Sequence, residues 1–202
     1  MGGQLIDIAV LVSGSGSNLQ ALIDASADPG YPARIVVVGS DKPGVRALDR
    51  AEDAAIPTQV VSWTGDRDDF TDRMCDTVES FGAELMVLAG FMRILGPAAV
   101  ERFPHRILNV HPSLLPAFPG AHAVEQAIEY GVKATGVTVH FVDEKVDHGP
   151  IVSQEAVPVE VVDDPATLHA RLQAVEHRLF PEAVAAFANG RLSVEGRKVV
   201  WS

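Results

Sequence analysis

Two rhythms of apolar residues alternate along this chain. Short continuous runs rich in Val, Ile and Leu occupy positions 5–12, 34–39, 58–61, 84–89, 106–110, 136–142 and 151–157. Runs of this kind are expected of strands buried on both faces. Between them, at 19–26, 44–54, 68–81, 97–103 and 122–130, apolar residues return with the spacing of one helix face. The longest helical stretch covers 165–189, opened by Asp163 or Asp164 as cap, with Pro165 in its first turn. Pro181 falls inside it and should kink or split it, because proline removes a backbone donor and crowds the preceding turn. Gly190 closes the helix, and 192–200 reads as a short tail. Strands alternating with helices predict one α/β domain: a doubly wound, mostly parallel sheet, Rossmann-like in plan. Ligands of such sheets sit beyond the carboxyl ends of the strands, so the loops that follow strands are where chemistry belongs.

Composition narrows the classes of function. Of 202 residues 47% are apolar, enough for a sizeable core in a single domain. No apolar run reaches the ~20 residues of a membrane span and no basic, apolar leader opens the chain, so a cytoplasmic protein that engages no membrane is expected. The single cysteine, Cys75, cannot close an internal disulfide, in keeping with a reducing compartment. A net charge of −11 argues against nucleic acid as a partner, since that would require a basic face. An acidic protein still binds anions where positive potential is concentrated, as at a helix N-terminus. No set of Cys, His and Asp has zinc-like spacing, and no metal is expected.

The first apolar run leads directly into Ser13-Gly14-Ser15-Gly16-Ser17-Asn18-Leu19-Gln20. Glycines there let the backbone approach an anion, and N–H groups at the start of the following helix point toward it. Ser17 or Asn18 is also a ready helix cap, so an ordinary structural turn competes with phosphate binding. A dinucleotide site competes too, because Asp41 follows the second run where a ribose-binding acid would sit. The fingerprint fails at its third glycine, where this chain has Leu19. A second informative loop is Asn109-Val110-His111-Pro112-Ser113-Leu114-Leu115-Pro116, followed by Pro119-Gly120. Positions two apart on a strand share a side, so Asn109 and His111 project together. An amide beside an imidazole suits a developing oxyanion, one as neutral donor and the other as charged donor or acid. The competing reading is a strand-end Asn and a core His bonded to backbone carbonyls.

These segments resemble the glycinamide ribonucleotide formyltransferase family. The resemblance spans nearly the whole chain. It rests on the 14–20 segment, on Leu88-Ala89-Gly90-Phe91-Met92-Arg93-Ile94-Leu95, on the 109–116 segment, and on 136–142 through Asp147-His148-Gly149-Pro150. The 109–116 segment is common to several folate-dependent formyl carriers, whereas the first is more selective. The family implies the formyltransferase version of the α/β fold, with residues 1–202 as one domain. Its N-terminal half would bind phosphate, and its C-terminal half would bind folate and carry catalysis. It further implies that 10-formyltetrahydrofolate, as co-substrate, passes its formyl group to the amine of 5-phosphoribosylglycinamide in purine biosynthesis.

By the same resemblance Asn109, His111 and Asp147 are catalytic, with Asp147 pairing His111 and orienting a proton-relaying water. Gly14, Ser15, Gly16, Ser17, Asn18, Gly90 and Glu176 would hold the phosphoribosyl substrate, Glu176 through ribose hydroxyls. Arg67, Met92, Arg93, Ile94, Leu95, Asn109, Val142, Asp143, Glu144, Lys145, Val146 and Asp147 would line the folate site. Read without it, Asp147 is a turn former, Met92, Ile94 and Leu95 are core, and Arg67 and Glu176 are surface charges. The resemblance also implies a cis Leu115–Pro116 bond. His122 has a conceivable supporting role, His140 reads as a satisfied buried residue, and His148 as a variable neighbour of the turn. His105, His169 and His177 carry no signal. Monomer and homodimer are both open. The alternatives are a formylfolate hydrolase or another formyl carrier enzyme, or, in a different class, a non-catalytic phosphosugar-binding protein. A tRNA formyltransferase would carry a further domain for which this short acidic chain has no room, and a hydrolase would have little use for a phosphate loop.

Overall fold

Residues 5–202 are described by the computed structural model. The alternation seen in the sequence is realised as β1 (Ile6–Val12), α1 (Ser17–Ser26), β2 (Ala33–Ser40), α2 (Arg46–Asp53), β3 (Thr58–Val60), α3 (Arg67–Ser80), β4 (Leu85–Leu88) and α4 (Pro97–Arg102). There follow β5 (Ile107–His111), α5 (Ala123–Tyr130), β6 (Ala134–Phe141), β7 (Ile151–Pro158), α6 (Pro165–Ala188), β8 (Leu192–Glu195) and β9 (Lys198–Trp201). All the strands form one sheet in the order β3-β2-β1-β4-β5-β6-β7-β9-β8. From β3 to β5 every pairing is parallel. β6 then turns antiparallel to β5, setting His140 opposite Asn109 and Thr138 opposite His111. β7 is antiparallel to β6, and β9 joins β7 in parallel at Ile151 and Lys198.

The two faces of the sheet bury separate cores. One packs Ile8, Val10 and Val12 against Leu19 and Leu22 of α1, Ala47 and Leu48 of α2, Val124 of α5 and Leu168, Leu172, Phe180 and Val184 of α6. The other packs Ala9, Leu11, Met86 and Leu88 under Phe70, Met74 and Val78 of α3 and Ala99 of α4, and includes Ile107 of β5. Beyond Ile107 the same side of β5 carries Asn109 and His111. The apolar face thus becomes polar there.

Three expectations are corrected. Pro181 does not split α6, which runs unbroken from Pro165 to Ala188. A local cost of about 3 kcal/mol is outweighed where the helix is buried along the sheet, as Leu179, Phe180 and Val184 are here. The cap of that helix is Asp164, which accepts from Thr167 N–H at 2.8 Å while Thr167 Oγ1 accepts from Asp164 N–H at 2.9 Å. Neither Ser17 nor Asn18 caps α1: that position belongs to Gly16, left-handed at φ +72°, with no side-chain cap bond. The 192–200 tail is a hairpin that extends the sheet, with Glu195 opposite Lys198 and Gly196 at φ +61° in its tight turn.

Candidate active site

Four loops converge where the parallel half of the sheet ends. After β1, the 13–16 loop is stitched to the 90–92 loop after β4: Ser13 N–H donates to Gly90 C=O at 3.2 Å, and Met92 N–H donates to Ser13 Oγ at 2.9 Å. From behind, Ala47 N–H donates to Gly14 C=O at 3.1 Å and Arg50 Nε donates to Ser15 C=O at 2.9 Å. The first helical bond of α1 runs from Gln20 N–H to Gly16 C=O at 2.9 Å, so the N–H groups before it are left without intrahelical acceptors. A Cβ on Gly14 would meet nothing within 4 Å, whereas one on Gly16 would lie 2.7 Å from Ala47 Cβ. Gly14 therefore presents the open surface an anion needs, and Gly16 is glycine because α2 leaves no room. Asn18 is buried, and its Nδ2 donates to Glu176 Oε2 at 2.8 Å. Its Oδ1 is buried without a partner. Gln173 Nε2 reaches Ser17 Oγ at 3.3 Å, so α6 adds two side chains to the loop, Gln173 and Glu176, opposite Arg50 of α2.

Asn109, His111 and Asp147 come together around one carboxylate. Asp147 Oδ2 accepts from Gly120 N–H at 2.7 Å and faces His111 Nδ1 at 3.4 Å. Its Oδ1 lies 3.4 Å from Asn109 Nδ2 and 3.6 Å from His140 Nε2. Burial would raise the Asp147 carboxyl, but His140, the Gly120 N–H and the charge of His111 together hold it below the ordinary carboxylate range. The other ring nitrogen of His111, Nε2, is 2.8 Å from Phe118 C=O. A carbonyl oxygen only accepts, so Nε2 carries its proton toward Phe118, while Nδ1 is turned to the Asp147 carboxylate. Phe118 holds that carbonyl in place from a left-handed backbone at φ +52°, an uncommon conformation for an aromatic residue. The loop between is pinned by Thr138, which donates to Ser113 C=O at 2.7 Å and accepts from Leu115 N–H at 3.1 Å. The Leu115–Pro116 bond is cis.

His140 is the satisfied buried residue its strand predicts and also a member of the cluster. It is buried, with Nδ1 2.7 Å from Phe141 C=O, as a satisfied core histidine would be. Its Nε2, however, lies 3.2 Å from Asn109 Nδ2, inside the cluster. The Phe118 carbonyl and the Gly120 N–H join the cluster through backbone groups that no residue type announces. Only the cross-strand register of β5 and β6 reveals His140, and nothing in the spacing of the chain announces that register.

The 90–96 and 142–147 segments present apolar side chains to solvent, with Met92, Ile94 and Val146 all exposed. Phe91 anchors the first of these by stacking on Phe70 at 6.2 Å, and Leu95 and Val142 are half-buried against the core of that face. Arg93 Nε bonds Asp41 Oδ2 at 2.8 Å and its guanidinium lies 4.8 Å over the Trp63 ring. Asp41 is thus buried and engaged with the 90–95 loop, and the ribose-binding role weighed for it does not fit. Arg67 opens α3, 3.5 Å from Asp68. Gly96 N–H donates to Thr71 Oγ1 at 2.7 Å, and its Cα faces Asp68, so this helix start lies against the far end of the 90–96 loop. Glu144 and Lys145 are exposed. Among the described residues no group of His, Cys, Asp and Glu could hold a metal ion, and no helix is long and apolar enough to cross a membrane.

The formyl transferase family model matches residues 6–184. Phosphoribosylglycinamide formyltransferase of Mycobacterium tuberculosis is 46% identical over 200 residues, covering 95% of this chain and 92% of that protein. The trifunctional purine biosynthetic protein adenosine-3 of Gallus gallus is 47% identical over 97% of this chain, which spans only 20% of that protein. Among solved structures, glycinamide ribonucleotide transformylase 1 from Symbiobacterium toebii superposes with a TM-score of 0.95 at 45% identity, covering 98% of this chain and 94% of that one.

Proposed function

The chain belongs to the formyl transferase family, and from that premise we propose that it transfers the formyl group of 10-formyltetrahydrofolate to the amine of 5-phosphoribosylglycinamide in de novo purine biosynthesis. The observation that carries this reading is the cluster in which Asp147 faces Asn109 and His111 beside a backbone cradle at 13–18. Residues 1–202 act as one cytoplasmic formyltransferase domain, monomeric or homodimeric. Gly14, Ser15, Gly16, Ser17 and Asn18 receive the phosphate on backbone N–H groups at the start of α1. Gly90 completes that floor, and Glu176 accepts from the ribose hydroxyls. The exposed Met92, Ile94 and Val146, with Leu95 and Val142, give a pteridine ring an apolar slot whose edge is read by backbone and by Asp143, Glu144 and Lys145. Arg67 faces the anionic tail of the folate, and Arg93, held by Asp41, belongs to the same wall as Met92 and Leu95.

With both substrates seated, the amine attacks the formyl carbon and the carbonyl oxygen becomes an oxyanion. Asn109 Nδ2 donates to it together with His111 Nε2, which turns from the Phe118 carbonyl to the oxyanion while Nδ1 stays on Asp147. Asp147 balances the charge on His111 and, through a water, relays the proton lost by the attacking amine to the departing folate nitrogen. Phosphate held at the 13–18 loop positions the amine, so part of the barrier is met by orientation. No covalent enzyme intermediate is required. The test is to mix protein, 10-formyltetrahydrofolate and 5-phosphoribosylglycinamide and follow deformylated folate by absorbance, omitting each component in turn. Signal that persists without the phosphoribosyl substrate would indicate hydrolysis and defeat the proposal.

A further inference from the structure

The 143–150 segment is anchored from two directions. On the inside, Asp147 is left-handed at φ +49° and held by Gly120 N–H. On the outside, the anchor is a residue of the C-terminal hairpin. Because β9 enters the sheet parallel to β7 with Lys198 opposite Ile151, the residue before Lys198 lies beside the chain that precedes β7. That residue is Arg197. Its Nη2 donates to the His148 carbonyl at 2.7 Å, and its Nη1 lies 3.3 Å from both nitrogens of the His148 ring. The two ring nitrogens point away from each other in the ring plane, so an Nη1 equidistant from both lies against the ring, a guanidinium laid on an imidazole. The ring passes the constraint on: His148 Nδ1 is 2.7 Å from Asp143 Oδ2, and Asp143 Oδ1 accepts from Lys145 N–H at 3.0 Å.

Around this chain of contacts the backbone has little freedom. Phe141 N–H donates to Pro150 C=O at 2.9 Å, and a Cβ on Gly149 would lie 1.8 Å from the Phe141 carbonyl oxygen. The hairpin is itself fastened, with Trp201 Nε1 donating to Val152 C=O at 2.8 Å. Burial pushes the Asp143 carboxyl up, but the bonds from His148 and Lys145 and the charge of Arg197 hold it low, so it stays ionised in this arrangement. Val146 and Asp147, the residues between the inner and outer anchors, have their positions set by both.

We propose that Arg197 is a positioning residue for the formylfolate subsite, holding the 143–148 segment through the His148 carbonyl and ring so that Val146 and Asp147 face the ligand. The proposal rests on the reading of 142–147 as a folate wall. It identifies the hairpin as part of the working site, though none of its side chains touches substrate. It also explains the need for arginine: a planar fork serves a carbonyl and a ring face together, which an ammonium cannot.

The experiment uses the full chain with Arg197→Ala, and Arg197→Lys and His148→Ala beside it. With Arg197→Ala, amide exchange in 143–150 accelerates while β9 stays protected. The KM for 10-formyltetrahydrofolate rises about tenfold, as expected for one lost charge-assisted bond, and kcat falls by a smaller factor because Asp147 keeps its inner anchor at Gly120 N–H. The KM for 5-phosphoribosylglycinamide does not move. Arg197→Lys recovers only part of the loss. His148→Ala keeps the carbonyl contact and gives a smaller rise, and it carries the same readouts should Arg197→Ala lower the melting temperature. Unchanged exchange in 143–150, an unchanged folate KM, or equal rises in both KM values overturns the proposal. The underlying reading is checked separately in the wild type, where 10-formyltetrahydrofolate should protect 143–150 from exchange. Absence of that protection sinks the folate-wall reading and the proposal with it, whereas protection without an Arg197 effect sinks the proposal alone.

Discussion

Asp147 uses its two oxygens separately: Oδ2 serves Gly120 and His111, and Oδ1 faces Asn109 and His140. Asp147→Asn removes the charge while keeping a residue that tolerates the left-handed backbone at φ +49°. With no carboxylate facing His111, turnover falls sharply at neutral pH while both ligand affinities change little. Near-normal turnover would leave Asp147 as a turn residue only. Stability has its own sign. The folded carboxyl is held below 3.8, so its contribution is fully present above that value and is lost as pH falls through the lower folded value. Urea unfolding should show the wild type ahead of Asp147→Asn at pH near 7 and the gap closing in stronger acid. Asn109→Ala is the complementary test of oxyanion binding. Loss of one such donor costs about 10²–10³ in turnover, with both substrates still binding. A loss smaller than about tenfold argues that Asn109 is not a donor to the reacting oxygen.

The 13–18 loop shows how an element divides its labour. Gly14 has open space around it and Gly16 has none, its left-handed φ and Ala47 both excluding a side chain. Gly16→Ala should therefore destabilise the protein by about 1–3 kcal/mol in chemical denaturation. Gly14→Ala should leave stability alone and weaken 5-phosphoribosylglycinamide selectively, as titration of each ligand would show. Loss of folate binding to the same degree would remove the loop from the phosphoribosyl site. From sequence both glycines looked like makers of an anion cradle, because what distinguishes them is a contact with α2, 31 residues away at Ala47. Strands and helices were legible to within a few residues, since each carries its own periodicity. Misread features depended on neighbours out of sequence range. Pro181 survives because α6 is buried, and the tail became β8 and β9 because β7 offered a free edge.

At the scale of the whole molecule, alternation of strand and helix predicted the parallel half of the sheet, but not the switch to antiparallel pairing at β6. Apolar runs look alike in either direction, and α5 between β5 and β6 suggested another parallel crossover. That switch sets His140 opposite Asn109, and the loop between β6 and β7 carries Asp147 to the cluster. Asn109 and His111 were legible as a strand-end pair, and their partner was known only through family resemblance. One property needed no fold at all: the net charge of −11. Both proposed substrates are anions, so the summed field of the chain opposes their approach while backbone N–H groups hold the phosphate on arrival. Raising ionic strength from about 0.01 to 0.15 M shortens the screening length from about 30 to 8 Å. The distant repulsion then fades, whereas contacts within the cradle, made at hydrogen-bond distance, are largely spared. The KM for 5-phosphoribosylglycinamide should accordingly fall across that range, measured in potassium acetate so that no phosphate-like anion competes. Arg46 and Arg50 lie beside the loop on α2 and act in the opposite sense. A KM that instead rises with salt would mean that this local positive charge, not the charge of the whole chain, governs substrate capture.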